Sequence, residues 1–334
     1  MNAVLPGRVL PAARQRDCIR PMNEHRVVAL GPVRHACHQC GTCCTGWRVQ
    51  VHRDEHARVE AHAAALGVPE PIVEGTLRVV DGACVFLGSD RACAIHARFG
   101  EAEKPAVCRA FPRHLVHTEA GLRVGADPGC SSTWRTWVDG PEVALTTAAG
   151  ASRVTLPPEL AATEQGLIGL ARTRGMTFQR LLGTIADDPR CDPKLPAGLL
   201  GRFLPATKRV GFFLEHRDAG PVLVPDLAKV AAFLRAVDAA HPPRWTLSRD
   251  QSGLALETLA RTLFLRLVDP ELPPMGALVL HVAGTIACAY AHRDLPSFGR
   301  ALAAWSRLSR MTGFWRPLVP DDDAARYLLI GARA

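Results

Sequence analysis

Apolar and polar positions follow two different patterns along this chain, and the change falls near Pro157. Between residues 37 and 150 the apolar runs are short and broken. Residues 47–52, Trp-Arg-Val-Gln-Val-His, alternate with period two, as a half-buried strand does. Residues 76–80 and 84–87 also read as strands, and 115–118 and 122–124, joined by Glu-Ala-Gly, read as a hairpin. Asp54 stands where an N-cap would open a helix running to Leu66. The rest reads as loop. So little regular patterning predicts a thin core that needs another source of stability, such as a metal.

After Pro157 the apolar positions recur at helical spacing between Pro and Gly breaks. The predicted helices are 158–173, 177–187, 197–204, 226–240, 253–268, 274–292, 297–312 and 322–330, with Asp226 and Ser297 as caps. Leu256, Leu259, Leu263 and Leu267 give one of these helices an apolar stripe for core packing. No repeat or low-complexity tract is present. The expected fold class is α+β. A small Cys-rich domain of short strands and loops at 37–150 precedes a mainly α-helical domain at 151–334. Residues 1–36, rich in Pro and Arg, read as a poorly ordered leader, and Met22 is an alternative start.

Composition narrows the function classes. The longest apolar stretch, 275–290, reads as too short to span a bilayer and contains His281. The N-terminus lacks a basic-then-apolar signal segment, so the expected location is cytoplasmic, with no membrane partner. The net charge is +8, but residues 37–130 carry ten basic and eleven acidic residues, so the Cys-rich part is nearly neutral. A nucleic-acid module concentrates positive charge on its binding domain. Nucleic acid is therefore not the expected partner, and the Arg-rich surface reads as solvated charge.

Cysteine is what changes the picture. Of eleven, eight fall between Cys37 and Cys130, with Cys18 before them and Cys191 and Cys288 after. Cys37, Cys40, Cys43 and Cys44 form the run C-x2-C-x2-C-C. Two residues between thiols let one tight loop aim both sulfurs at one ion, and Gly41 relieves the backbone where that loop turns. In an extended segment the adjacent Cys43 and Cys44 would point apart, so one of them is free for a second ion or for reactive chemistry. Cys84, Cys93, Cys108 and Cys130 are spread over later loops and strand ends, as in a site collected from distant segments. A cytosolic chain with an odd cysteine total does not suggest a disulfide framework, and inert buried Cys does not explain four in eight positions. The eight thiols are the candidate metal ligands, with room for one cluster or two separate ions. His35, His38, His52, His96 and His114 are each able to replace a thiol, though each more often plays a packing or surface role.

The metal stays open at this point. Thiols at i, i+3 and i+6 are similar to the opening of a bacterial ferredoxin run, without its x3-C-P ending. C-x2-C with two remote Cys suits zinc. No G-x-G-x-x-G after a strand, G-x-S-x-G, H-E-x-x-H or P-loop occurs. Asp187-Asp188 and Asp321-Asp322-Asp323 read as solvated charge at helix ends.

Cys37-x2-Cys40-x2-Cys43-Cys44, Cys84-Val-Phe-Leu, Cys93-Ala-Ile-His and Lys104-Pro-Ala-Val-Cys108-Arg-Ala-Phe-Pro112 together resemble the YkgJ-type cysteine-cluster family, a zinc- or iron-chelating domain. The resemblance covers about residues 37–130. It implies a metal centre, an iron–sulfur cluster before zinc, held by Cys37, Cys40, Cys43, Cys44, Cys84, Cys93 and Cys108, with Cys130 as the final family cysteine. It also sets Arg109 beside the thiols and Trp47 as packing over the site. Cys43-Cys44-Thr-Gly-Trp47 and Gly100-Glu101 are similar to the flagellin lysine-N-methylase family. That second resemblance implies an alternative function, cluster-dependent methylation of protein lysines with S-adenosylmethionine. A protein partner or protein substrate is expected in either case.

Overall fold

The computed structural model describes residues 26–45, 49–142, 151–185, 228–230, 232, 246–268 and 272–310. The shorter N-terminal elements come first. Strand β1 is Val27–Val28, and helix α1 is His56–Ala65. The ribbons β2 (Ile72–Val73) with β3 (Thr76–Leu77), and β4 (Val79–Val80) with β5 (Ala83–Cys84), follow. Then come α2 (Ala94–Phe99), α3 (Ala106–Ala110), β6 (Arg113–Thr118), β7 (Gly121–Ala126), α4 (Thr133–Asp139) and β8 (Ser152–Arg153). The long helices are α5 (Pro158–Ala171), α6 (Phe178–Ile185), α7 (Arg249–Phe264), α8 (Pro274–Ala291) and α9 (Leu295–Leu308). The chain is α+β, with small sheets ahead of a helical C-terminal region.

Helix α8 is apolar on every side, and every residue from Gly276 to Ala289 is buried. Such a helix must be surrounded, and α5, α7 and α9 pack around it. By length and composition α8 is able to cross a membrane, contrary to the sequence expectation of too short a stretch, but 83% of it is buried inside the protein. At Gly284 an added Cβ would lie 2.1 Å from Nε1 of Trp305, a fully buried side chain on α9 whose indole N–H donates to the Leu280 carbonyl at 3.0 Å. The missing side chain at 284 therefore sets how closely α8 and α9 approach.

Several boundaries differ from the sequence reading because polar side chains set them. Helix α7 starts four residues before Gly253, in a capping box where Ser248 Oγ accepts from Gln251 N and Gln251 Oε1 accepts from Ser248 N. Asp294, not Ser297, caps α9, accepting from the Ser297 amide at 2.8 Å. Asp54 caps nothing. A 3₁₀ turn at Arg53–Glu55 leads into α1, and the Asp54 carboxylate pairs with His52 instead. Residues 76–80 split into β3 and β4. The predicted helices at 197–204 and 322–330, Asp226, and the acidic runs at 187–188 and 321–323 lie outside the described residues. Of 226–240, residues 228–230 and 232 are described and helical.

The larger sheet has the order β1-β7-β6-β8. Its centre is the β6–β7 hairpin, in register from Arg113 opposite Ala126 to Thr118 opposite Gly121. β1 adds in parallel to β7 and β8 in parallel to β6. Part of the expected leader is therefore in the fold: Val27 and Val28 pair with Leu122 and Arg123, and Val33 is buried. The expected boundary at 150/151 falls inside this sheet's span, just before β8. Arg123, buried on β7, donates to Glu164 of α5 at 2.5 Å and to the Phe264 carbonyl at 3.0 Å, and Arg266 donates to the same Glu164 at 2.9 Å. A buried carboxylate shared by two guanidiniums fixes the sheet against the helices, because removing any one partner strands a charge.

Two outcomes follow from the helical core. Gly284→Ala drives a methyl into Trp305, and chemical denaturation should show a loss of about 1–3 kcal/mol. His281 lies on α8 with Nε2 2.8 Å from the Ala255 carbonyl, and burial holds its pKa down at about 4. Unfolded, it titrates near its ordinary value, so the unfolded chain takes up the proton first. Stability should therefore fall as pH drops from about 6.5 to 4, by up to about 3 kcal/mol from this group. A His281→Asn variant should show a shallower loss over the same window in pH-dependent urea melts.

Candidate metal centre

The first thiols are presented by an irregular loop with two left-handed residues, Gln39 and Gly41. At Gly41 (φ 68) an added Cβ would sit 3.1–3.2 Å from Arg91 and Leu87, so both conformation and space call for glycine. Gly41 then caps a single 3₁₀ turn, Thr42–Cys44, closed by Cys44 N–H donating to the Gly41 carbonyl at 3.0 Å. Because the segment is a turn and not extended, Cys43 and Cys44 do not point apart. Their sulfurs are 3.9 Å from each other. Arg91 Nε donates to the Cys40 carbonyl at 2.7 Å and ties the loop to the later segment.

Isolated bridges bring the distant cysteines in. Thr45 pairs antiparallel with Ala83, which sets Cys44 opposite Cys84 at the next register position. Leu87 pairs with Cys93, and the Ala94 N–H donates to the Phe86 carbonyl. Cys93 thus sits at the start of α2 and Cys108 inside α3. Cys84, Cys93 and Cys108 all pack on one small apolar cluster, Val51, Val59, Ala63, Leu77, Phe86 and Ile95. Six buried side chains make the thin core that the sequence pattern predicts.

Cys130 lies on the other side, in the turn after β7. Its N–H donates to the Asp127 carbonyl, and its own carbonyl accepts from Thr133 at the start of α4. The next turn returns to the first loop, where Ser132 Oγ–H donates to Cys40 Sγ at 3.7 Å. Asp127 is buried and held in its ionised form against burial by Arg310, whose guanidinium donates to both carboxylate oxygens at 2.5 and 2.6 Å. Three residues earlier, Arg307 of α9 donates to the Thr42 carbonyl at 3.3 Å. The side chain is buried, and its Nε–H has no partner among the described residues.

All nine described cysteines are free thiols, with Cys37 exposed, Cys130 and Cys288 buried and the rest half-buried. Cys288 belongs to the helical core, while Cys18 and Cys191 lie outside the described residues. Five of the eight candidates, Cys37, Cys44, Cys84, Cys108 and Cys130, resist ionisation. Burial pushes Cys84 up to about 11 and Cys108 and Cys130 up to about 12, and neighbouring thiolates push them further. Burial likewise raises Cys37. Cys44 is raised by its contact with Cys43, and Cys43 ionises first, helped by that contact and by the charges of Lys104 and Arg307.

A metal cation is the group this donor set fits: thiolates are metal ligands only when deprotonated, and a cation among them removes the repulsion that holds the protons on. Among the described residues, no three His, Cys, Asp or Glu side chains are drawn together into a ligand shell. What is present is a set of neighbours on separate segments.

Two expectations about surrounding residues change. Arg109 does not face the thiols. It donates to the carbonyls of Ala102 and Lys104 and lies 3.9 Å from Glu55, so it braces the loop before α3. Trp47 is outside the described residues. The cations that do act on the thiols are Lys104 and Arg307. Lys104 stands in the Lys-Pro-Ala-Val-Cys run, where the sequence reading gave it no role, and no local signal distinguishes Arg307 among so many arginines. Of the histidines, His52 pairs with Asp54, and burial near Lys104 and Arg113 holds His35 neutral with its Nδ1 unpartnered among the described residues.

No curated protein and no solved structure matches the chain. Residues 36–131 match a family model described as CxxCxxCC, putative zinc- or iron-chelating domain. The match takes in all eight thiols and ends one residue after Cys130. Over this segment the chain is similar to that cysteine-cluster family of zinc- or iron-chelating domains.

Proposed function

We propose that residues 37–130 hold a thiolate-bound metal centre, an iron–sulfur cluster in the first place and zinc in the second. The centre makes this part of the chain a metal-dependent binding module. The observation that carries the reading is eight free thiols brought in from five segments, three of them packed on a core of only six buried side chains. The i, i+3, i+6 spacing at Cys37, Cys40 and Cys43 favours a cluster, as in ferredoxin runs. Free thiols suit a reducing compartment, so the reading includes a cytoplasmic location. The helical region is then the part available to a protein partner.

Analysis of anaerobically purified protein tests this. A cluster predicts iron and acid-labile sulfide with a visible charge-transfer band, whereas colourless protein with stoichiometric zinc selects the second metal. Binding of S-adenosylmethionine in calorimetry would instead favour lysine methylation.

Two further outcomes are expected. Cys40→Ser should lose metal and raise hydrogen exchange across 37–130 while α7 to α9 stay protected, because ligation and folding are coupled in a domain with so small a core. The raised thiols also fix the sign of the pH dependence. Cys84, Cys108 and Cys130 carry their protons at neutral pH, so zinc uptake by the metal-free chain releases protons. Affinity should weaken as pH falls, which calorimetry in buffers of different ionisation enthalpy measures directly.

A further inference from the structure

The eight thiols are not evenly mixed. We infer that they form two sets of four, Cys37, Cys40, Cys43 and Cys130 in one and Cys44, Cys84, Cys93 and Cys108 in the other. Each set takes its own metal centre, and the Cys43–Cys44 peptide is the joint between them. The inference rests on the metal-binding reading above and adds the number of centres and the ligands of each.

Backbone placement separates the sets. The Thr45–Ala83 bridge puts Cys44 across from Cys84, and the Leu87–Cys93 bridge folds Cys93 back beside the same ribbon. Cys84, Cys93 and Cys108 share one apolar floor, to which Cys37, Cys40 and Cys130 do not belong. On the other side, the Ser132–Cys40 hydrogen bond joins the Cys130 turn to the first loop.

Arg307 is an independent marker of the first set. Its buried guanidinium comes from α9, 265 residues away from Thr42 in sequence, and its charge acts on Cys43 and Cys130. Its Nε–H is unpartnered among the described residues. A buried donor left unsatisfied is destabilising, and a four-thiolate centre, negatively charged with either metal, is an acceptor that would satisfy it. Three of the second set, Cys84, Cys93 and Cys108, lie on the apolar cluster, and no arginine is among the charges that act most strongly on Cys44, Cys84 and Cys108.

The 3.9 Å between Cys43 and Cys44 sulfurs is the feature closest to a rival arrangement. Around one ion with metal–sulfur bonds of about 2.3 Å, tetrahedral sulfurs stand about 3.8 Å apart. That contact alone therefore fits one shared centre. Cys43 also reaches Cys84 and Cys108 electrostatically, as a residue at the joint must. The other six thiols decide, because they divide three and three.

The full chain, reduced and freed of metal without oxygen, is titrated with Co(II) and separately with ¹¹³Cd(II). Two equivalents per chain are expected, each with tetrathiolate Co(II) bands, and two ¹¹³Cd resonances without coupling between them. Cys37→Ser, which changes an exposed side chain, should remove the four-thiolate signature of one centre and leave the other. Cys93→Ser should do the same for the opposite resonance. Saturation at one equivalent, a single ¹¹³Cd resonance, or ¹¹³Cd–¹¹³Cd coupling through a shared sulfur overturns the division while leaving metal binding intact. Absence of any Co(II) or Cd(II) binding overturns the metal-binding reading itself. The wild-type spectrum decides even where a variant does not fold.

Discussion

Buried thiols can act as ligands only if something stabilises their negative charge, and that requirement organises the N-terminal half of this protein. Burial together with mutual repulsion keeps Cys84, Cys108 and Cys130 protonated. Protein cations meet part of the requirement. Lys104 comes from the loop before α3 and Arg307 from α9. The remainder is the role of the metal. The apolar cluster beneath Cys84, Cys93 and Cys108 has only six buried side chains, so on the metal-binding reading ligation and folding are coupled.

The helical region is built to deliver that charge. α8 is enclosed by its neighbours, Gly284 lets Trp305 lie directly on it, and Trp305 fixes α9. The C-terminal turn of α9 then points Arg307 at the Thr42 carbonyl, and Arg310, just past the helix, pairs with Asp127. On the sheet side, Glu164 between Arg123 and Arg266 holds the hairpin whose exit leads to Cys130. The helical packing thus positions residues at the thiol site as well as forming a core.

Much of this was legible in the sequence. The C-x2-C-x2-C-C run, the need for glycine at Gly41, the β6–β7 hairpin and the long helices all leave local marks: spacing, a turn residue, periodicity. Other features did not. Thr45–Ala83 and Leu87–Cys93 are single bridges, with no alternating run to betray them. Val27–Val28 is a strand because β7 offers an edge, not because its own sequence asks for one. The α7 boundary was missed because Ser248 and Gln251 cap the helix with polar groups before its apolar stripe begins. The turn at Thr42–Cys44 reversed the expectation that neighbouring thiols diverge, since that expectation assumed extended backbone. Arg307 was invisible because its role depends on tertiary placement alone.

The contact between Arg307 and Thr42 also bears on the order of events during synthesis. The cysteine loop leaves the ribosome long before α9 exists, with 265 residues of sequence between the two partners. Domains fold as they emerge, so the nascent thiols meet the cell without the guanidinium that steadies Cys43. During that interval a metal ion, or a protein that shields thiols, is the available source of stabilisation. Translation of the cysteine loop and completion of the helical bundle are therefore sequential, and α9 closes onto a loop whose first thiol was made near the beginning.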